Sequence, residues 1–155
     1  MNILCLDLGA KTGWAVGNKT LENSGTKKLS STTRKDVEIG RKFNGFDAWL
    51  LTMIASRKVG KVYFEDVKSH KGVLASHAFG GYLAVLQMRC GKSGIQLEGV
   101  GVGTIKKHFT GHGKASKQMM IDEAIARGHE PIDDNEADAI ALFYYVLEGQ
   151  IVNEK

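Results

Sequence analysis

Three acidic residues occupy positions where a folded chain must account for their charge. Asp7 stands between two leucines in an apolar, strand-like run. Glu65 closes a second apolar run, and Asp138 lies among alanines near the start of a helical pattern. A carboxylate inside a buried strand is costly unless it is paired or bound to a metal. We therefore treat Asp7, Glu65 and Asp138 as candidate ligands of a divalent cation.

These carboxylates come from distant parts of the chain, and no cysteine or histidine spacing accompanies them. Such a ligand set suits oxygen-preferring ions, Mg²⁺ and also Mn²⁺. Two such ions about 3.5–4 Å apart can activate a water and stabilise the leaving oxygen of a phosphodiester. The residues alone leave another interpretation open, in which Glu65 ends a strand at the surface and residues 133–135 only cap a helix.

Basic side chains gather in two further segments. The first surrounds Gly111 and Gly113, and the second is the loop after Glu65. Lysines supply counter-charge to phosphates, and the amides of a glycine-rich turn can add to it. The other interpretation is a solvated basic face. The members are Lys106, Lys107, His108, His112, Lys114 and Lys117 in the first segment, and Lys68, His70 and Lys71 in the second.

The elements that must position these residues follow from the hydrophobic pattern. Three strands come first and strands then alternate with helices, which is typical of a mixed α/β sheet with helices on both faces. The predicted strands are 2–8, 12–18, 21–29, 61–67 and 95–102. The predicted helices are 33–57, one of about 17 residues after Gly72, 103–109, 115–127 and one that starts near 133–135 and runs to 147.

Two of these helices carry specific packing expectations. In the first, Phe43, Phe46, Leu50, Met53 and Ile54 give the apolar face. In the second, Leu74, Phe79, Leu83 and Leu86 should face inward, and Gly80-Gly81 should bring another backbone close. Phe79 and Tyr82 could instead line a dimer contact. Ala137, Ile140, Ala141, Tyr144 and Tyr145 should face the sheet from the last helix.

Length and composition predict an ordinary globular chain. The 155 residues fit a single domain, residues 1–155, with a net charge of +4 that modestly favours a polyanionic partner. We find no signal peptide pattern and no apolar segment long enough to cross a membrane, so we expect a cytoplasmic protein. Cys5 and Cys90 lack metal spacing and should be free thiols.

Together, these motifs resemble the RuvC-type Holliday junction resolvases of the ribonuclease H-like superfamily, especially those encoded by phages. The matching segments are LDLG (6–9), TGWA (12–15), FE (64–65), TGHGKASK (110–117) and DNEADA (134–139). They follow the family's order over nearly the whole chain. The resemblance implies a five-stranded mixed sheet of order 3-2-1-4-5, a homodimer in a bacterial cell or phage, and metal-dependent cleavage of four-way and other branched DNA.

The same resemblance assigns roles to residues. It implies that Asp7, Glu65 and Asp138 bind two Mg²⁺ ions, and it places Asn135 where the family usually has a second acid or a histidine. Asp134 is the alternative fourth ligand. In the family, lysines near the glycine-rich loop face the scissile phosphate. We select Lys107 and Lys114 for this role, and then Lys117. The loop at 68–72 lacks the aromatic residue that well-known members carry there.

Other functions share parts of this pattern. Ribonuclease H-like proteins of the YqgF type have a similar opening segment and act on RNA. A protein of the same fold that binds junctions without cutting them is another candidate, since Asn135 offers only a neutral oxygen. The turn at 7–13 also resembles the phosphate-binding turn of sugar kinases and actin-like ATPases. Those proteins need two such domains, so we expect no nucleotide cofactor.

Overall fold

The structure is a computed structural model that describes residues 1–29 and 35–153. Within those residues, one five-stranded sheet carries helices on both faces. The strands are β1 (Asn2–Asp7), β2 (Lys11–Gly17), β3 (Leu21–Lys28), β4 (Val59–Asp66) and β5 (Gln96–Gly101). The helices are α1 (Asp36–Ser56), α2 (Val73–Ser93), α3 (Val102–Thr110), α4 (Lys117–Ala126) and α5 (Asp134–Asn153).

The sheet has the order β3-β2-β1-β4-β5, which confirms the predicted topology. β1 is the central strand, antiparallel to β2 and parallel to β4. β5 is parallel to β4, and β3 is antiparallel to β2 at the opposite edge. The carboxyl ends of β1, β4 and β5 therefore lie at one edge of the sheet, together with the start of β2 and the end of β3.

The central strand is buried on both faces, as its apolar sequence predicts. Leu4, Leu6 and Leu8 pack into the core shared with α1 and α2. Ile3 and Cys5 pack into the core shared with α3, α4 and α5. Since side chains alternate along a strand, Asp7 continues the second series and faces α5.

The helix bounds differ from the prediction mainly at the ends. α1 begins at Asp36, and the predicted start at Thr33 lies outside the described residues. α2 has 21 residues and ends where Gly94 takes a left-handed conformation, with φ of 65°. α5 continues past Leu147 to Asn153. The predicted inward faces of α1 and α5 are confirmed by the burial of Phe46, Leu50, Ala137 and Ile140 among others.

The prediction for α2 was partly wrong. Leu74 is 66% exposed, because only the later turns of the helix cover the sheet, through Tyr82, Leu86 and Cys90. Gly81 lies against a ring and not against a backbone: a Cβ there would come within 2.3 Å of Phe43. Gly80 has no atom within 4 Å of such a Cβ.

Aromatic rings join α1 to α2. Tyr82 is buried, with its ring centroid 5.0 Å from that of Phe43 and 5.3 Å from that of Phe46. The prediction of a dimer contact through Tyr82 is therefore wrong, because its ring packs against α1 inside the protein. Both cysteines are free, as predicted, and both are buried. No helix in the described ranges has the length and apolar character that a membrane span requires.

Candidate active site

Two neighbouring parallel strands place the first two carboxylates side by side. Leu6 of β1 pairs with Phe64 of β4, so Asp7 and Glu65 follow at the same level of the sheet. Both side chains project toward α5, because Cys5 and Tyr63, two residues earlier, belong to the core on that face. The carboxylates thus stand at the edge where parallel strands end.

The third carboxylate depends on the close approach of α5 to the sheet. Gly13 is the register partner of Asp7 on β2. A Cβ at Gly13 would lie 1.9 Å from the carbonyl oxygen of Asn135, so only glycine allows the first turn of α5 to rest there. Ala137 and Ala139 are fully buried beside it. These small residues hold Asp138 over the strand ends, as the alanine-rich sequence predicts.

The start of α5 is also fixed by polar bonds to the edge strand β3. Asp133 Oδ1 accepts hydrogen bonds from the Glu136 backbone N–H at 2.9 Å and from Thr26 Oγ1 at 2.6 Å. Glu136 in turn accepts from Ser24 Oγ at 2.8 Å and from the Ile132 backbone N–H at 2.7 Å. Asp133 thus caps the helix through the backbone of Glu136, Glu136 binds the backbone one residue before that cap, and the bonds to Thr26 and Ser24 pin the helix to β3.

The three carboxylates converge. One oxygen from each of Asp7, Glu65 and Asp138 lies within 4.8 Å of the other two. Glu65 is buried, and the other two are partly exposed. Solvent therefore reaches two of the three carboxylates at the edge of the sheet.

Burial and mutual repulsion raise the pKa values in this cluster. Burial raises the pKa of Asp7 first, and the charges of Glu65, Asp138, Asp134 and Asp133 raise it further. Burial likewise raises the pKa of Glu65, and Lys106 opposes this. Burial and Glu65 raise the pKa of Asp138 to about 7. Without an added counter-charge, these three groups are therefore harder to ionise than ordinary carboxyls.

The donor set fits a divalent metal. Three carboxylates that repel one another at this spacing lose that repulsion when a cation lies between them. All of the donors are hard oxygens, which favour Mg²⁺ or Mn²⁺ over softer ions. When bound, such ions would supply an activated water and charge stabilisation at a phosphodiester.

The two candidates for a fourth ligand lie beside the cluster and have other partners. The side chain of Asn135 hydrogen-bonds Asp133 and contributes to lowering the pKa of that carboxyl against the effect of burial. Asp134 Oδ2 lies 3.4 Å from Lys117 Nζ. Asp134 nevertheless raises the pKa of both Asp7 and Asp138, so its charge acts on the site. The choice between the two residues stays a prediction.

Lys106 is the lysine whose charge acts on two of the carboxylates, since it opposes the pKa rise of Glu65 and of Asp138. Lys117 also acts on Asp138. Lys107 and Lys114, which the sequence favoured for this role, line a neighbouring open groove of about 730 Å³ with His112. Lys106 is the first residue of a lysine pair, and sequence alone does not tell which member of that pair faces the cluster.

The second predicted basic segment lies on the other face of the same edge. Lys68 Nζ pairs with Asp66 at 2.6 Å, and Lys71 is exposed. The ring centroid of His70 lies 4.9 Å from that of Phe79 on α2. An aromatic group thus supports this loop from the neighbouring helix, although the loop itself has none.

Comparison with solved structures identifies the fold. A structure of Thermus thermophilus RuvC matches at a TM-score of 0.72 and 18% identity, covering 91% of this chain and 90% of that one. T. thermophilus RuvC in complex with Holliday junction substrate matches at 0.76 and 20%, covering 96% of both chains. The yeast mitochondrial Holliday junction resolvase Ydc2 matches at 0.66 and 10%, covering 90% and 74%.

These likenesses confirm the RuvC-type, ribonuclease H-like fold that the sequence resemblance implies. No protein-family model and no curated protein matches the sequence.

Proposed function

We propose that this chain is a metal-dependent endonuclease that resolves four-way DNA junctions. The observation that carries the proposal is the convergence of Asp7, Glu65 and Asp138 at the carboxyl edge of a RuvC-type sheet. The solved relative of this fold that is bound to Holliday junction substrate supports branched DNA as the substrate.

In this proposal each residue near the cluster has a distinct task. Asp7, Glu65 and Asp138 would hold two Mg²⁺ ions, which supply an activated water at the scissile phosphodiester. Lys106 and Lys117 lie where their charge offsets that of the carboxylates, and they would orient the phosphate. Lys107, His112 and Lys114 would bind the backbone in the groove beside the cluster. Lys68, His70 and Lys71 would contact the DNA from the other face.

A four-way junction must be cut in two opposed strands, so we propose a homodimer with one active site for each strand. The outer face of α2 supports this. Val73, Ala84 and Met88 lie along it at helical spacing, and all three are exposed. These side chains offer a second copy of the chain apolar contacts along one helix face.

Cleavage of a strand-labelled four-way junction tests the proposal. Duplex DNA, a flap, single-stranded RNA and an RNA–DNA hybrid of the same sequence are compared in Mg²⁺ and in EDTA. We expect paired cuts near the junction centre, only in Mg²⁺ and only in the branched DNA. Preferential cleavage of RNA would favour the YqgF type of activity. Binding of the junction without cuts in either Mg²⁺ or Mn²⁺ would identify a non-cleaving protein. The bacterial or phage setting stays a prediction.

A further inference from the structure

A second group of cations lies beyond the carboxylates, on the β3 side of the molecule. It consists of Lys11 on β2, Lys27 and Lys28 on β3, and Arg41 and Lys42 on α1. We call these residues the β3 basic surface. Four of them line an open groove of about 350 Å³ between β3 and α1: Lys27, Lys28, Arg41 and Lys42.

The register of the β2–β3 hairpin sets two of these charges against each other. Lys11 and Lys28 are direct partners on adjacent antiparallel strands. Like charges directly opposite each other destabilise a sheet. The pair is exposed, and neither lysine forms an ion pair within the described part of the chain. A bound anion would relieve this repulsion.

Among the described residues, two acids lie against this surface, and both have other partners. Glu38 lies in the same groove, but it pairs with Arg41 one helical turn away. Asp133 faces Lys11 from the start of α5, and its carboxylate already accepts bonds from Thr26 and from the backbone of Glu136. The groove between β3 and α1 therefore keeps an excess of positive charge.

One part of the β3 basic surface, Lys11 with Lys28, lies on the same face of the sheet as the candidate active site, because Gly13 and Thr26 two residues away face α5. Lys27, Arg41 and Lys42 extend it around the end of β3 onto the α1 face.

Asp7 pairs with Gly13, and Lys11 lies two residues further toward the same edge of the sheet. Two strand spacings separate β1 from β3, about 10 Å at the usual distance between strands. That distance corresponds to about three base pairs along a duplex. Lys106, on α3 directly after the opposite edge strand β5, also acts on the carboxylates, so positive charge flanks the site from both edges of the sheet.

We infer that the β3 basic surface binds the sugar–phosphate backbone of the duplex arm that leaves the cleavage site on the β3 side. The inference rests on the proposed function, because it places one arm of the branched substrate. The bonds are with phosphates, so they position the arm and carry no base sequence.

The salt dependence of junction binding tests this inference. Lys28→Gln, Lys42→Gln and the double variant are compared with Lys19→Gln, which removes an exposed lysine from the β2–β3 turn at the opposite end of the hairpin. Affinity for a labelled four-way junction is measured in EDTA between low and moderate salt. Removing one lysine that neutralises a phosphate should reduce the slope of log K against log salt by about 0.9.

For the double variant we expect the slope to fall by about 1.8 and the affinity to fall at least about tenfold. Lys19→Gln should match the wild type. The melting temperature of Lys28→Gln should equal or exceed that of the wild type at low salt, because the repulsion with Lys11 is gone.

A double variant with the wild-type slope would overturn the inference while leaving junction cleavage intact. A reduced slope in a protein that cuts no junction would instead contradict the proposed endonuclease and retain the DNA-binding surface. The two failures are therefore distinguishable.

Discussion

The carboxylates at the sheet edge carry an energetic cost that a bound cation removes. Asp7, Glu65 and Asp138 lie close together, and burial together with the charges of neighbouring acids raises the pKa of Asp7 and of Asp138. A protein selected for stability alone would replace at least one of them. Their presence at one point is the physical argument for a metal site.

This cost predicts how stability depends on pH. The pKa of Asp138 rises from 3.8 to about 7 on folding, so the folded state binds this proton more tightly than the unfolded state does. Stability without metal should therefore fall as the pH rises from about 4 to about 7. Asp138→Asn should stabilise the metal-free protein by up to about 4 kcal/mol at pH 8, because one pKa unit corresponds to about 1.4 kcal/mol, and should have little effect at pH 4.

Chemical denaturation in EDTA at the two pH values checks this. Added Mg²⁺ should stabilise the wild type at pH 8 and stabilise Asp138→Asn much less. A variant that is less stable than the wild type at pH 8 in EDTA would contradict the electrostatic account.

A second prediction concerns the lysine whose charge acts on the carboxylates. Lys106→Met should raise the pKa of Glu65 and Asp138, because the charge of Lys106 lowers both. We expect the pH profile of single-turnover junction cleavage to move to higher pH, and the rate at pH 7 to fall about 10- to 100-fold. Lys107→Met is the matched control. An unshifted profile for Lys106→Met would contradict this role of Lys106. A larger shift for Lys107→Met would show that Lys107 is the lysine that acts on the carboxylates.

At the scale of residues, the sequence predicts which acids form the site better than it predicts which lysines lie beside them. Asp7 is conspicuous because a charge between leucines is costly unless it is paired or bound to a metal. Asp138 is conspicuous because alanines surround it. The burial and orientation of a lysine depend on how its helix is rotated against the sheet. For α3 that rotation is set by Ile105 and Phe109, which are buried and leave Lys106 partly covered but Lys107 exposed.

At the scale of elements, the site depends on how closely α5 approaches β2. Gly13→Ala would place a Cβ 1.9 Å from the carbonyl oxygen of Asn135. Because backbone occupies that space, α5 must move, and we expect a loss of about 1–3 kcal/mol of stability. Junction cleavage should fall more steeply than stability, because Asp138 moves with the helix.

Gly40→Ala on α1 is the control, because nothing lies within 4 Å of a Cβ there. It should be neutral or stabilise the helix by up to about 1 kcal/mol. Thermal denaturation and cleavage of the two variants are compared side by side. Equal melting temperatures and equal cleavage rates for Gly13→Ala and Gly40→Ala would show that the close approach of α5 does not position Asp138.

Element type and order could be predicted from the hydrophobic pattern, and the bounds less well. The role of Gly13 has no local signal, since its constraint comes from a helix near the other end of the chain. The failure at Leu74 has a similar cause. An apolar residue at helical spacing indicates a helix, but whether that turn overlies the sheet depends on where α2 begins relative to the end of β4.

At the scale of the whole molecule, the proposed dimer makes a separate prediction. Ala84→Arg places a charge on the exposed face of α2 without disturbing the buried Tyr82 and Leu86. We expect the Ala84→Arg dimer to dissociate at protein concentrations at least about tenfold higher than those at which the wild-type dimer dissociates. The reason is that the added charge must be desolvated in the interface. The junction should then be nicked in one strand and not resolved. Analytical ultracentrifugation and strand-specific labelling report the two effects.

Ala55→Arg, at an exposed position of α1, is the control for added charge. A wild-type protein that is monomeric while it resolves junctions, or an Ala84→Arg protein that stays dimeric, would exclude α2 as the interface.

The most direct measurement of the central claim is cleavage of a labelled four-way junction by Asp7→Asn in Mg²⁺, beside the wild type. The substitution keeps the shape of the side chain and removes the charge that faces Glu65 and Asp138. We predict that the variant binds the junction with at least wild-type affinity and that its cleavage rate falls by about three orders of magnitude or more. Cleavage by Asp7→Asn at the wild-type rate would contradict the account.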